Sequence, residues 1–307
     1  MSNLLIPITT PFNSDPSSSS FGELDHDALQ NNLRRWNETG IAGYVILGST
    51  GERVHLDERE YLEVIELARS SVPSHLRFIV GAGQQSTRGT IDEIQRAKTA
   101  GADAVLVITP NFYRTAITQE VLVSYYNAVA DASPVPVLLY SMPGLTGIKI
   151  DPITIARLSE HPNIIGVKDS SADISGFAET IKLCGSDFTV MTGNGTVFLD
   201  ALKAGATAAI LAVACAVPEI CLEIYRAFTD RKVDLATEIQ SKLTPFAHAV
   251  TVKYGIAGLK SALDMCGYSG GVVRAPLSPI TENAKLEIAS LLEDLKSSLS
   301  SILLSSR

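Results

Sequence analysis

The sequence predicts an α/β fold, a closed (β/α)8 TIM barrel with a C-terminal helical extension. Eight short apolar runs alternate with amphipathic segments along the chain. Each run is apolar almost throughout, which is typical of parallel strands covered on both faces. No glycine-rich G-x-G-x-x-G turn follows the first run, where Thr10, Pro11 and Phe12 stand instead, and this disfavours a doubly wound sheet. Eight successive units favour closure into a barrel.

The elements follow in order. The predicted strands comprise residues 4–9, 43–47, 77–81, 104–109, 135–140, 164–168, 188–192 and 208–212. The predicted helices comprise residues 24–38, 57–70, 87–100, 118–131, 151–159, 174–183, 196–203 and 218–229. Asp57 with Glu60 three residues later is typical of a helix N-cap, and Gly40, Gly101 and Gly205 follow helices where a left-handed residue is favoured.

Beyond the eighth unit the pattern indicates helices without further strands, over residues 235–250, 255–265 and 281–304. We therefore expect a barrel over residues 1–230 and a helical appendage over residues 231–307. The appendage is expected to pack on the barrel and to be available for contacts between subunits.

Composition and charge exclude several classes of protein. Apolar residues make up 46% of the chain and charged residues 19%, with a net charge of -8. This argues against a nucleic-acid partner, which requires a basic face. The longest apolar stretch, residues 204–218, is shorter than the roughly 20 residues of a membrane span, and the N-terminus carries no visible signal or transit peptide. We expect a cytoplasmic protein without membrane contact.

The cysteines and histidines do not form metal motifs. The four cysteines contain no C-x-x-C pair, which fits reduced thiols. The five histidines form neither H-x-H nor H-E-x-x-H. We expect neither a metal nor a cofactor.

Lys168 is the first candidate for chemistry, because active sites of such barrels lie at the carboxyl ends of the strands. It closes the apolar run of residues 164–167. A poorly hydrated barrel mouth disfavours the ammonium form, so a neutral amine is available to form a Schiff base with a carbonyl. The alternative is a lysine that pairs with Asp169 or reaches solvent.

Tyr140 ends the preceding predicted strand. If the fifth and sixth strands are neighbours, Tyr140 and Lys168 stand on adjacent strands about 4.8 Å apart. The phenol would then move the proton that is exchanged as a carbinolamine becomes an imine. The alternative is a barrel-mouth tyrosine with a water partner.

Ser49 and Thr50 lie in a Gly-Ser-Thr-Gly turn after the second strand. We expect the glycines to free the backbone amides to bind an anion such as a carboxylate. The alternative is an ordinary strand-to-helix loop.

Read together, several motifs resemble the dihydrodipicolinate synthase / N-acetylneuraminate lyase family of class I aldolases, from residue 4 to residue 276. They are Thr9-Thr10-Pro11-Phe12, Gly48-Ser49-Thr50-Gly51-Glu52, Tyr140-Ser141-Met142-Pro143 with Thr146-Gly147, Gly166-Val167-Lys168-Asp169, and residues 205–210. The resemblance implies that Lys168 forms the Schiff base, that Tyr140 relays protons, and that Ser49 and Thr50 bind the carboxylate of pyruvate. It also implies a homotetramer built from tight dimers.

The predicted substrate-binding residues are Thr10, Gly51, Gly193, Ile210, Leu145, Phe112 and Tyr113. Leu145 stands where dihydrodipicolinate synthases carry an arginine that grips the carboxylate of the aldehyde substrate. Gln85 and Gly89 differ from the residues of the lysine-feedback site, so lysine inhibition is not predicted. Residues 168–171, Tyr140-Ser141 and residues 267–276 are most similar to 4-hydroxy-2-oxoglutarate aldolases and 2-keto-3-deoxy-sugar-acid aldolases.

Phe112 occupies the place where the family has a tyrosine that is donated across the dimer interface, and Tyr113 follows it. Either Tyr113 or a water completes the proton relay, or the activity is weaker than in relatives. The expected function is cleavage of a 4-hydroxy-2-keto acid to pyruvate and an aldehyde. The alternatives are 4-hydroxy-tetrahydrodipicolinate synthesis and a keto-acid-binding or sugar-binding barrel without turnover, for which Phe112 is the support.

Overall fold

The computed structural model describes residues 3–305, and for residues 300, 301 and 303–305 only the backbone. Eight strands pair in chain order into a closed barrel, and every pair is parallel, including β1 with β8. The strands are β1 (Leu4–Pro7), β2 (Gly43–Ile46), β3 (Arg77–Ala82), β4 (Ala104–Ile108), β5 (Val137–Ser141), β6 (Ile164–Asp169), β7 (Thr189–Thr192) and β8 (Ala208–Ile210). The predicted (β/α)8 barrel is confirmed.

The helices surround the barrel and continue beyond it. They are α1 (His26–Trp36), α2 (Glu58–Ser71), α3 (Thr87–Thr99), α4 (Gln119–Ala132), α5 (Pro143–Thr146), α6 (Pro152–Leu158), α7 (Ile174–Leu183), α8 (Phe198–Lys203), α9 (Pro218–Thr229), α10 (Val233–His248), α11 (Gly255–Met265) and α12 (Glu282–Ser305). A π-helix, Ala249–Lys253, connects α10 to α11. The sequence pattern did not predict the short helix α5 or the π-helix.

Two predicted strands were too long at their carboxyl ends. β1 ends at Pro7 rather than at residue 9. Ile8 and Thr9 belong to the following loop, but they are buried and so resemble a continuation of the strand in the sequence pattern. β8 ends at Ile210, since the chain enters a 3-10 turn from Ala212. Both differences lie at the carboxyl ends of the strands.

The helix ends have the predicted chemistry. Asp57 and Glu60 form a reciprocal capping box, in which the Asp57 carboxylate accepts from the Glu60 N–H at 2.8 Å and the Glu60 carboxylate accepts from the Asp57 N–H at 3.0 Å. Gly40, Gly101 and Gly205 have φ of 88°, 106° and 109°. These are left-handed values that a glycine adopts without a steric penalty.

The interior of the barrel is filled by side chains. The inner cluster includes Leu5, Val45, Ile79, Leu106, Leu138, Tyr140, Met191 and Ile210. Complete burial of a large apolar side chain stabilises the fold by about 1.5–3 kcal/mol. A packed interior leaves the carboxyl end of the strands as the place for a site.

The C-terminal helices pack on the barrel and share its outer core, which includes Leu243, Phe246, Leu259, Ile288 and Leu292. Arg274, in the segment before α12, binds to α2. Its guanidinium donates to both carboxylate oxygens of Glu60, at 2.7 and 2.5 Å. The division at residue 230 stays a prediction. Within residues 3–305, no helix has both the length and the apolar character of a membrane span.

Candidate active site

Lys168 and Tyr140 stand side by side at the carboxyl ends of β6 and β5. The two residues are register partners, and the Lys168 Nζ lies 4.3 Å from the centre of the Tyr140 ring. Both residues are buried, with exposures of 4% and 3%. They line a cavity of about 190 Å³ together with Ser49 and Thr50. The structure thus brings the four predicted catalytic residues into one place.

The Tyr140 hydroxyl lies 3.0 Å from the Ser49 Oγ and is also hydrogen-bonded to Ser170 and Lys168. Burial raises the pKa of Tyr140, but the charge of Lys168 and these hydrogen bonds outweigh burial and leave the pKa below its ordinary value of 10.0. A phenol in this setting gives up its proton more readily than an isolated tyrosine.

Gly193 directly follows β7. A larger residue would not fit there, since Lys168 and Ser170 occupy the space of its side chain. A Cβ at position 193 would lie 2.6 Å from the Lys168 Cε and still closer to the Ser170 Oγ. The backbone of β7 therefore forms the wall against which the lysine side chain rests.

The turn formed by residues 48–51, called here the 48–51 turn, contains a short 3-10 helix, Ser49–Gly51. Neither Gly48 nor Gly51 of this turn has a positive φ. The left-handed residues are Leu47 (φ 58°) and Glu52 (φ 54°), one on each side of the turn. Buried contacts of these two side chains override the ordinary preference for glycine in that conformation.

Thr10, in the loop after β1, is hydrogen-bonded to Gly51 of the turn. The Thr10 hydroxyl donates to the Gly51 carbonyl at 2.7 Å, and neither residue lines the cavity. Ile210 is fully buried in the inner cluster with Tyr140, below the cavity. Leu145 and Gly193 do line the cavity, and 63% of Leu145 is exposed.

Phe112 and Tyr113 lie on the loop after β4, outside the cavity. They are 74% and 70% exposed, with ring centres 5.0 Å apart in an edge-to-face contact. The Gln85 side-chain oxygen accepts from the N–H groups of Asn111 and Phe112, each at 2.8 Å. The amide of Gln85 thus fixes the position of this aromatic pair.

Three further features escaped the sequence analysis. Ser170 bonds to Tyr140, and its position two residues after Lys168, on the same side of an extended chain, was the signal that could have found it. Asn194 also lines the cavity, next to Gly193. The third feature is a wall supplied by the C-terminal helices, through residues 250–252, Gly255, Ile256 and Leu259. No local pattern in the sequence predicts that wall.

Arg114 lies beside Gly147 and is not among the residues that line the cavity. Its guanidinium would lie 2.9 Å from a Cβ at Gly147, two residues after Leu145. It makes no ion pair among the described residues. Over the same part of the chain, no three His, Cys, Asp or Glu side chains are grouped so that they could hold a metal ion.

A closed (β/α)8 barrel with a buried lysine amine beside a tyrosine at its mouth defines a class I aldolase, a lyase that acts through a Schiff base. The chain belongs to the dihydrodipicolinate synthetase family, whose model matches residues 1–295. Its relatives are enzymes of the pyruvate-dependent Schiff-base type.

Several relatives resemble the chain over nearly its whole length. The 4-hydroxy-tetrahydrodipicolinate synthase of Thermodesulfovibrio yellowstonii is 33% identical, covering 94% of this chain and 96% of the relative. The structure of the synthase from Methylacidiphilum fumariolicum SolV superposes with a TM-score of 0.91 at 25% identity, covering 98% of both chains. That of the chloride-inhibited Acinetobacter baumannii dihydrodipicolinate synthase, complexed with pyruvate, has a TM-score of 0.89 at 28% identity and covers 96% and 99%.

Proposed function

We propose that this enzyme cleaves a 4-hydroxy-2-keto acid, such as 4-hydroxy-2-oxoglutarate or a 2-keto-3-deoxy sugar acid, into pyruvate and an aldehyde through a Schiff base on Lys168. The observation that carries the proposal is the buried group of Lys168, Tyr140 and Ser49, with the Ser49–Tyr140 contact at 3.0 Å. A buried amine beside a phenol of lowered pKa has what imine formation needs, a nucleophile and a proton relay.

The reaction begins when the neutral amine of Lys168 attacks the C2 carbonyl carbon. The carbinolamine loses water as Tyr140 donates a proton to the departing hydroxyl, which leaves an iminium. The Tyr140 phenolate then removes the proton of the C4 hydroxyl, and the C3–C4 bond breaks. Its electron pair moves toward the iminium, so the products of this step are an aldehyde and an enamine. Protonation at C3 and hydrolysis release pyruvate and regenerate the amine.

The 48–51 turn is the place for the carboxylate of the keto acid. It supplies the Ser49 and Thr50 hydroxyls and the N–H groups at the start of a 3-10 turn, all of which can donate to an anion. Ser49 and Thr50 line the same cavity as Lys168, so a keto acid bound at the turn can present C2 to the lysine amine.

Leu145 is the observation that favours cleavage of a 2-keto-3-deoxy sugar acid with an uncharged tail over synthesis from aspartate-semialdehyde, which carries a distal carboxylate. Among the described residues that line the cavity, Lys168 is the only one with a positive charge, and an apolar leucine stands at the rim. A bidentate arginine–carboxylate contact to the second substrate is therefore missing from the cavity wall. Hydroxyl and amide groups of Ser170, Asn194 and Thr251 instead suit a hydroxylated tail.

A second candidate function is 4-hydroxy-tetrahydrodipicolinate synthesis from pyruvate and aspartate-semialdehyde. The names of the relatives favour it. Arg114 adds support, because its guanidinium lies beside Gly147, two residues after the cavity-lining Leu145.

Phe112 and Tyr113 suit a contact with a second copy of the chain, since two large aromatic side chains are exposed together. We infer a homotetramer of tight dimers in which Tyr113, rather than Phe112, contributes a hydroxyl to the partner's relay. Analytical sedimentation measures the number of subunits in the assembly. A Tyr113→Phe variant, which lacks only the hydroxyl, tests whether that group takes part in the partner's proton relay.

Trapping with borohydride tests the Schiff base. Reduction in the presence of pyruvate should add one stable pyruvyl mass at Lys168, and Lys168→Met should abolish it. Lys203→Met, a lysine at the end of α8, is the matched control and should label normally. Pyruvate release from four- to six-carbon 4-hydroxy-2-keto acids then tests the aldolase. Faster turnover of aspartate-semialdehyde with pyruvate would establish the synthase instead, and pyruvate labelling without turnover of any substrate would indicate a binding barrel.

A further inference from the structure

The 48–51 turn is held in an unusual backbone conformation on both sides. Leu47 precedes it with φ 58° and Glu52 follows it with φ 54°. Residues with a side chain rarely adopt this left-handed conformation, and they keep it only where the surrounding structure holds them. The contacts of Glu52 therefore help to hold the backbone at the end of the turn.

The Glu52 carboxylate forms a buried ion pair with Lys260. Its Oε1 lies 2.5 Å from the Lys260 Nζ, and the two side chains are 1% and 2% exposed. The other carboxylate oxygen accepts from the Arg274 backbone N–H at 3.1 Å and lies 3.1 Å from the His55 Nδ1. Glu52 is thus fixed on both of its oxygens.

Lys260 is fixed in turn. Its Nζ donates to the Val272 carbonyl at 2.6 Å and lies 4.4 Å from the centre of the Phe12 ring, in the loop after β1. Burial lowers the pKa of Lys260 to about 8, although the charge of Glu52 acts in the opposite direction. An ammonium with so little exposure depends on its partner carboxylate to remain charged.

Lys260 belongs to α11, and other residues of that helix, Gly255, Ile256 and Leu259, line the cavity. Glu52 follows directly on the turn that forms another part of the cavity wall. The ion pair therefore joins two walls of the same site without touching the space between them.

We propose that Glu52 and Lys260 form a positioning pair. The pair fixes the 48–51 turn so that its hydroxyl and N–H groups can donate hydrogen bonds to the keto-acid carboxylate. The inference rests on the proposed function, in which this turn binds that carboxylate. The pair acts on keto-acid binding, whereas the chemistry at the Lys168 amine does not depend on it directly.

The experiment uses pyruvate itself as the probe, so the identity of the aldehyde does not matter. Borohydride trapping at Lys168 is measured against pyruvate concentration in the full-length wild type, Glu52→Gln, Lys260→Met and the double variant. The matched control is Glu282→Gln/Lys285→Met, which removes an exposed glutamate–lysine pair on α12 with a contact of 2.7 Å.

We expect the half-saturating pyruvate concentration to rise about tenfold or more in Glu52→Gln and in the double variant, with the maximal trapping rate within about threefold of the wild type. The effects of the two single changes should not add, because the residues act as one unit. The control pair should leave both quantities unchanged.

A folded double variant whose half-saturating concentration stays within about twofold of the wild type would overturn the inference. So would a lower maximal rate at unchanged half-saturation, since the pair would then act on the lysine chemistry. If Lys260→Met and the double variant do not fold, the same two criteria, half-saturating concentration and maximal rate, are applied to Glu52→Gln alone. This variant conserves the shape of the side chain. Failure of the wild type to label at any pyruvate concentration would overturn the proposed function itself.

Discussion

Tyr140 and Lys168 are direct register partners across strands β5 and β6, with the lysine Nζ 4.3 Å from the centre of the tyrosine ring. Because both side chains come from the rigid barrel rather than from loops, their separation is fixed by strand pairing. Proton transfer between an amine adduct and the phenol therefore needs no rearrangement of the backbone.

Tyr140→Phe should lower kcat by about 10²–10⁴, the usual contribution of a positioned proton donor or acceptor. The Tyr140 pKa lies below 10.0, so a step that needs the protonated phenol should slow as the pH rises through that lowered value. This alkaline limb should be absent from the pH–rate profile of the variant. Tyr225→Phe on α9 is the control, and an unchanged rate in Tyr140→Phe would remove the tyrosine from the mechanism.

Gly193→Ala should displace the reactive amine. The new Cβ would lie 2.6 Å from the Lys168 Cε, so the lysine must move, and a misplaced nucleophile costs about 100-fold in rate. The measurement is the rate of pyruvate trapping at Lys168. Gly185→Ala, where nothing lies within 4 Å of the added carbon, is the matched control. Equal trapping rates in the two variants would contradict the tight wall described for β7.

Leu145→Arg should improve the use of aspartate-semialdehyde. A guanidinium at the cavity rim can make a charge-assisted, bidentate contact with the carboxylate, which is typically worth about 1.5–3 kcal/mol. We expect kcat/KM for this aldehyde to rise about tenfold or more, while trapping with pyruvate alone is unchanged. Leu183→Arg, at an exposed leucine on α7, controls for net charge. No gain would show that position 145 does not select the second substrate.

Arg114→Met should separate substrates by the charge of their tails. If the guanidinium beside Gly147 holds a distal carboxylate, kcat/KM should fall about tenfold or more for 4-hydroxy-2-oxoglutarate and aspartate-semialdehyde. A 2-keto-3-deoxy sugar acid with an uncharged tail should be unaffected. Arg88→Met, an exposed arginine on α3, is the control. A similar loss for all three substrates would point to a structural role.

Arg274→Met should destabilise the fold in a pH-dependent way. It leaves the Glu60 carboxylate, whose side chain is 7% exposed, without its partner in a part-buried pair, which costs about 1.5–3 kcal/mol for hydrogen bonds to a charged group. The hydrogen bond from Arg274 holds the pKa of Glu60 below its ordinary 4.5, so in the wild type this stabilisation is present above that value. It is lost as the pH falls through the lowered pKa.

The melting temperatures of wild type and Arg274→Met should therefore differ by several degrees at neutral pH and converge in acid. Arg157→Met, which removes an exposed pair with Glu120, should change the melting temperature little at either pH. A difference that does not shrink at low pH would mean that Arg274 stabilises the protein by packing or by its hydrogen bonds to the Gly22 and His55 carbonyls rather than by its ion pair.

The barrel and the neighbourhood of Lys168 and Tyr140 could be predicted from sequence, because strand periodicity is local and a closed parallel barrel brings all strand ends together. The wall from α11 and the π-helix could not, since it depends on how the C-terminal helices dock. The left-handed backbone on either side of the 48–51 turn could not be predicted either, for a related reason. Its left-handed residues are fixed by distant partners such as Lys260, which leave no mark in the local pattern.

Tyr140, Met191 and Ile210 belong to the packed inner cluster, which closes the cavity on the side of the barrel interior. In the proposed reaction the covalent adduct sits at this closed side, and the aldehyde lies between it and solvent. The aldehyde must leave first and pyruvate last, so in the condensing direction pyruvate has to load before any aldehyde enters. Kinetics in that direction should be of the ping-pong or strictly ordered kind, with excess aldehyde acting as an inhibitor competitive with pyruvate.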